Sequence, residues 1–302
     1  MDVAQDIKDF LMTRRARITP EQVGLLPGRR RRVPGLRREE VAQLAGVSID
    51  YYTQIERGNV VGVSDDVLSS IVRALNLDDA ETTHLFNLVR AVNAKSGAGR
   101  PRSRSHTVVP AGVQALMDSM VTAPAIVLTG HLDIVAANAL GRALYAPVFA
   151  RATGTPNLAR FIFFDAVADA DAARLFPDWN AAAEDAVALL HSEAARSPDS
   201  PAVVRLIGDL ATRSDQFRMR WAAQNVKAHR QGIKKFWHAE VGELELTYNG
   251  LDITGVGGLT LMGYTAEPHS RSEEALRLLA SWIAEAPLLR AERTDDTPAA
   301  VD

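Results

Sequence analysis

Between residues 48 and 57 the chain reads Ser-Ile-Asp-Tyr-Tyr-Thr-Gln-Ile-Glu-Arg. Wound at 3.6 residues per turn, this stretch has two faces. Val47, Tyr52 and Ile55 point to one side, and Ile49, Asp50, Thr53, Gln54 and Arg57 to the other. The second set suits the edges of base pairs. A glutamine amide can pair bidentately with adenine, an aspartate can accept from a cytosine amine, and an isoleucine can meet a thymine methyl. The first turn of such a helix enters the groove deepest, so Ile49, Asp50, Thr53 and Gln54 are the candidate base readers. Arg38, Ser48 and the backbone at the start of the helix suit phosphates. Tyr51 lies on the border, between the core and a contact with the DNA backbone.

Something must hold that face outward. Residues 38–45 predict a preceding helix with Val41, Leu44 and Ala45 on its buried side. Gly46 supplies the turn, where positive φ is often required. Ser48 caps the helix that follows. Ile7, Phe10 and Leu11 share a face on an earlier helix. Ser64 or Asp65 starts a fourth helix, with Leu68, Ile71, Val72 and Leu75 as its stripe. Asp78 or Asp79 starts a fifth, with Leu85, Leu88, Val89 and Val92 apolar. Residues 1–93 therefore read as an all-α domain of five helices containing a helix-turn-helix.

The charge pattern agrees. The net charge of -3 does not favour a polyanion, yet nine arginines lie between Arg14 and Arg38 against the single acid Glu21 before Arg37. A local excess matters more than the sum. Arg30, Arg31 and Arg32 sit in a loop flanked by Pro and Gly, as a phosphate clamp or as a solvated charge run. The chain has no cysteine, which excludes disulfides and argues against a zinc finger. The N-terminal residues are acidic where a signal peptide is basic, and no apolar run is long enough for a membrane span. A cytoplasmic, nucleoid-associated protein with no membrane partner is expected.

Residues 94–106, AKSGAGRPRSRSH, read as a basic linker. Beyond it, 124–130 and 131–137 predict two strands, and Asn138 opens a short helix. Helices follow near 178–195, 200–212 and 214–225. Strands follow near 233–238, 243–252 and 258–266, then a helix over 272–285. Leu244, Leu246 and Tyr248 alternate with Glu243, Glu245 and Thr247, so one strand face is buried and one wet. This predicts an α+β domain over 107–286 with a five-stranded antiparallel sheet, and a disordered tail over 287–302.

Two resemblances sharpen the reading. GRRRRVPGLRREEVAQLAGVSIDYYTQIERG resembles the XRE family of phage-repressor-like helix-turn-helix domains, over residues 2–92. PAIVLTGHLDIVAANALGRALY, FPDWNAAAEDAVALL, LATRSDQFRMRWAAQNV and KKFWHAEVGELELTYNGL, followed by TAEPHSRSEEALRLLASW, resemble the ligand-binding domain of MmyB-like regulators, a PAS-like fold, over roughly 107–285. The second resemblance implies a sheet curved around an apolar cavity that takes a hydrophobic, fatty-acyl-like small molecule as effector. Asn138, Phe161, Phe163, Trp179, Arg220, Trp221, His238 and Tyr248 are the candidate ligand residues. The same aromatic groups can simply be core, Asn138 a helix cap and His238 a hydrogen-bonded strand-end residue. In this family the strand before His238 is usually more basic and followed by Pro. Here Trp237 precedes it and Ala239 follows.

Three functions compete. The first is a transcription regulator, a homodimer on two-fold related half-sites of double-stranded DNA, tuned by a small molecule; no metal or other cofactor is expected. The second is a protein-interaction or dimerisation module without ligand. The third is a DNA-tethered enzyme using Asp165, Asp169, His191 or His238. The chain carries no GxSxG, HExxH or P-loop pattern, so an enzyme is not expected.

Overall fold

The computed structural model describes residues 2–25, 33, 35–96, 108–224, 231–254 and 258–295. Arg30–Arg32, most of the expected linker and residues 296–302 lie outside the described residues. The chain divides into two compact units: residues 1–102 with 187–228, and residues 103–186 with 229–302. The helices of 187–224, read from sequence with the second domain, thus pack in the first unit.

The first unit contains the five expected helices: α1 (Val3–Arg17), α2 (Arg38–Ala45), α3 (Ile49–Glu56), α4 (Asp65–Ala74) and α5 (Asp79–Ser96), with a 3-10 turn at Pro20–Val23. The starts of α1, α3, α4 and α5 are set by side chains that satisfy orphan amides. Asp2 accepts from the Ala4 amide at 3.1 Å, Ser48 from Tyr51 at 3.1 Å and Ser64 from Val67 at 3.4 Å. Asp78 and Glu81 form a reciprocal box at 2.8 and 3.2 Å. One core joins these helices through Ile7, Phe10, Leu11, Tyr52, Ile55 and Ile71, and Ala195 belongs to it. Leu44, expected on the buried face of α2, is instead 36% exposed. Val41, Ala42 and Ala45 fill that face, and an eight-residue helix buries only a narrow stripe. The unit also holds the second half of the helix Trp179–Arg196, then the helices Pro201–Arg213 and Asp215–Ala222.

The second unit is built on an antiparallel sheet of β1 (Ala125–Thr129), β2 (Ile134–Ala137), β3 (Gln231–His238), β4 (Gly242–Asp252) and β5 (Leu259–Thr265), in the order β2-β1-β5-β4-β3. All five residues of β1 are buried, as a strand covered on both faces requires. One face carries Ala125, Val127, Leu259 and Leu261, packed with Met117 of α6 (Ala111–Ser119). On the other face the register sets Tyr248 against Tyr264 and Gly232, and Phe236 against Leu244. The alternation read in β4 holds: Leu244, Leu246 and Tyr248 are buried, Glu243 and Glu245 exposed. Asn138 opens α7 (Ala139–Leu144), as expected. There Gly141 passes so close to β1 that a Cβ would lie 2.2 Å from the Ala125 carbonyl oxygen. The terminal helix runs over Arg271–Asp295, so the expected disordered tail does not begin at Pro287. The Leu, Ala, Arg and Glu residues after that proline are strong helix formers.

Candidate functional site

The hairpin of α2 and α3 turns on Gly46, whose φ is +68°, with its amide donating to Gln43 and that of Val47 to Ala42. Ser48 then caps α3. The phase is the one the spacing required. Tyr52, Ile55 and Glu56 are buried, while Ser48, Ile49, Asp50, Tyr51, Gln54 and Arg57 are exposed and Thr53 is half-buried. Ile49 leaves 51% of its surface in solvent at the first turn, an unfavourable position for a β-branched apolar residue with no partner. Tyr51, left open by sequence, lies on the outer face. Gln54 accepts a hydrogen bond from Asn59 Nδ2 at 2.6 Å. The arrangement presents polar groups, a methyl-bearing side chain and a helix N-terminus on one convex edge. That is what a major-groove reader needs.

The candidate ligand residues separate. Asn138, Phe161, Phe163, Trp179, His238 and Tyr248 belong to the second unit, whereas Arg220 and Trp221 belong to the first. Asn138 is 3% exposed and fully used. Its Oδ1 accepts from Gly141 at 2.7 Å and Ala125 at 2.9 Å, and its Nδ2 donates to the carbonyls of Met117, Met120 and Ala123 at 2.8–3.2 Å. It clamps α7, β1 and the end of α6, with nothing left to offer a ligand. Phe161 and Phe163 lie in a π-helical turn (Phe161–Asp165), and Trp179 Nε1 donates to the Ile162 carbonyl at 2.9 Å. His238 ends β3, where its Nδ1 accepts from the Glu240 amide at 3.2 Å; burial lowers its pKa. Tyr248 faces inward beside Tyr264.

On that inner face Tyr145, Phe176, Phe236 and Tyr264 pack in edge-to-face and tilted contacts, with Phe236 5.5–5.7 Å from the other three centroids. The Tyr145 and Tyr264 hydroxyls share a hydrogen bond of 2.6 Å, and burial raises both phenol pKa values. Two pockets among the described residues are lined by the first unit.

Two family matches bear on these arrangements. The MmyB-like transcription regulator ligand binding domain matches residues 109–279, and a helix-turn-helix domain matches residues 14–85. The chain belongs to the MmyB-like transcription regulators. The first match runs through the segment 187–224, which belongs to the first unit. A search of curated proteins found no match. The regulator is a DNA-binding protein with its reading head at the N-terminus and its ligand-binding domain after it.

Inside the regulator several arginines serve the fold where the charge pattern had suggested phosphates. Glu56, 1% exposed, takes Arg15 Nε at 2.6 Å, Arg38 Nε, and the Tyr52 hydroxyl at 3.4 Å. Arg15 also donates to the Leu36 carbonyl at 2.8 Å. Arg38 therefore ties α2 to α3 through Nε, and only its remaining edge faces solvent. Arg14 is buried, ion-paired with Glu81 at 2.8 Å and bonded to the Gln224 carbonyl; Arg17 donates to the Ala223 carbonyl at 2.9 Å. These cations meet the C-terminal end of the helix Asp215–Ala222, where unpaired carbonyls favour positive charge. Reading the run as one basic patch missed them. Glu56 was also missed as a site-shaping residue, though its spacing to Tyr52 and Ile55 puts an acid on the inward face.

The residues considered for catalysis are not assembled. Asp169 caps a short helix and pairs with Arg151, His191 lies in the first unit, and His238 closes a hairpin. Among the described residues no group of three or more His, Asp or Glu side chains could hold a metal ion. No helix among them is long and apolar enough to cross a membrane.

Proposed function

We propose that the regulator is an XRE-type reading head joined to a PAS-like sensor, acting as a cytoplasmic, nucleoid-associated homodimer on two-fold related half-sites. One recognition helix reads only a few base pairs, too few for a genomic address, and half-sites about 10 base pairs apart match a two-fold dimer. The observation that carries the reading is the outward face of α3, capped by Ser48 and backed by the Glu56 hub, in one chain with an MmyB-like ligand-binding domain. The sheet order β2-β1-β5-β4-β3 supports the PAS-like description. The effector is a hydrophobic, fatty-acyl-like molecule. The ring cluster of Tyr145, Phe176, Phe236 and Tyr264 fills the inner face, so an acyl chain enters by displacing rings. Ligand then shifts DNA affinity only through unequal binding to the two arrangements.

The same packed cluster favours a second reading, a dimerisation or protein-interaction domain without ligand. One experiment separates them. Saturated fatty acids of graded length are titrated into the protein on an operator selected from random duplexes, with sedimentation on the same samples. A length-dependent change in operator affinity supports the sensor. Unchanged affinity across the series, with a stable dimer, supports the interaction domain. A monomer on the selected operator defeats the two-fold model.

A further inference from the structure

We propose that residues 187–224 form a releasable brace on α1 and α5, the helices behind the reading pair, held across a seam of buried polar groups that lack a full set of partners. The seam lies wholly within the first unit. From α1 come Asp6, Arg14 and Arg17. From α5 and its cap come Asp78, Glu81 and His84. The helix Trp179–Arg196 brings His191, and the end of the helix Asp215–Ala222 brings Trp221 and Gln224. His84, His191 and Arg14 are each 3% exposed and Gln224 is 5% exposed. Yet Asp6 Oδ2, both ring nitrogens of His84, Arg14 Nε and Nη1, and Gln224 Oε1 have no hydrogen-bond partner among the described residues. The Arg14 Nε approach to Glu81 is a charge contact without hydrogen-bond alignment. A void of about 10 Å³ lies between them, room for about one water.

Such a set is costly. Buried polar groups without partners lose their hydration and gain little in return. The rest of the seam is well made: His191 stacks on Trp221 at 3.7 Å and its Nε2 donates to the Trp221 carbonyl at 3.1 Å, and Arg14 and Arg17 donate to the carbonyls of Gln224 and Ala223. An interface that mixes well-made contacts with groups short of partners is poised between closed and open. Opening hydrates Asp6 Oδ2, Arg14 Nη1, both ring nitrogens of His84 and Gln224 Oε1 together. It also uncovers one side of α1, the helix whose Arg15 reaches Glu56 and against which Gly58 packs at the end of α3. Release of the brace thus loosens the support of the reading helix without touching its outward face.

The seam carries its own titration. Burial, the neighbouring histidine and Arg14 lower the His84 pKa to about 3, and burial lowers that of His191 to about 4. Burial, with Asp9 nearby, raises Asp6 to about 6; Asp2 acts in the same sense and the N-terminus against it. Histidines depressed in the closed state stabilise it above their free value of 6.5, and that contribution fades as pH falls below it. A carboxyl raised in the closed state acts oppositely: its contribution is lost as pH rises through about 6 and grows below it. Two histidines outweigh one aspartate, so acidification opens the seam, starting below the free histidine value.

The test is hydrogen exchange on the full chain at pH 7.5 and 5.5, corrected for intrinsic rates. Amides of 201–222 should exchange through an opening that leaves α2–α4 protected, and that opening should increase on the order of tenfold at the lower pH. The paired substitution His84→Gln with His191→Gln should abolish the acid-induced opening and leave the weaker, opposite response of Asp6; Asp6→Asn should steepen the opening. If 201–222 and α2–α4 exchange together at both pH values, the brace is an integral part of one cooperative core and the proposal fails. It fails equally if wild-type opening does not respond to pH, or if the histidine pair variant keeps the acid-induced opening.

Discussion

Asn59 Nδ2 donates to Gln54 Oε1 at 2.6 Å, so the candidate base-reading amide is oriented before DNA arrives. An amide whose oxygen is engaged this way keeps its Nε2 hydrogens as the donors for an acceptor on a base edge. Full bidentate pairing with adenine requires Gln54 to share or exchange the Asn59 bond. Replacing Gln54 with Ala should cost about 1–3 kcal/mol on the selected site and relax one base position. Asn59→Ala should cost less and leave the base preference in place. A base-by-base binding scan of both variants checks the orientation of α3, and a Gln54→Ala profile that matches wild type would falsify it.

Glu56→Ala should destabilise the reading unit by roughly 3–5 kcal/mol, because it strands Arg15 and the Tyr52 hydroxyl in the core. Arg38→Ala should cost much less, since its guanidinium is nearly half exposed. Urea unfolding monitored by far-UV circular dichroism gives both values. Equal costs would mean that Arg38, not Arg15, is the principal partner of the acid.

Gly58 has φ of +89°, and a Cβ there would sit 2.5 Å from the Ala4 carbonyl oxygen. Backbone cannot yield as a flexible side chain can. Gly58→Ala should therefore push α1 away from α3 and lower the melting temperature by several degrees, for a loss of roughly 1–3 kcal/mol. Gly46→Ala, at φ +68° but with open space around it, should cost only the conformational strain, about 1 kcal/mol. Thermal melts of the two variants side by side test the difference.

Asn138→Ala should lower the stability of the second unit by about 2 kcal/mol or more, because two amides and three carbonyls lose one shared partner. Asn138→Asp keeps the acceptor but sets a carboxylate against three carbonyls, and should be no better. Differential scanning calorimetry resolves the outcome. Were Asn138 chiefly a ligand contact, Ala would be tolerated and only effector binding would suffer.

Neutralising Arg30, Arg31 and Arg32 by Gln should weaken specific and non-specific duplexes alike. The slope of log affinity against log salt should become shallower by about one unit for each phosphate that is no longer neutralised. An unchanged slope would leave these residues as a solvated charge run.

Local chemistry determined much of this protein in sequence order. The helical phase of 47–57 placed Ile49, Asp50, Gln54 and Arg57 outward, because a fixed angle of turn per residue needs no tertiary partner to be read. Ser48 and Asn138 announced themselves as caps, since a cap bonds within three residues of itself. The strands were legible because alternation in β4 follows from a two-residue repeat. Tertiary structure decided what each charge does. Arg14, Arg15, Arg17 and Arg38 look alike in sequence, but their partners lie up to 210 residues away, beyond any local pattern. The same holds for residues 187–224. Their helices were plain in the sequence, and which unit they pack with was set by buried contacts such as Ala195 in the core of the first unit and His191 near His84. Amphipathic periodicity states that a face must be covered, and only the folded chain states by what.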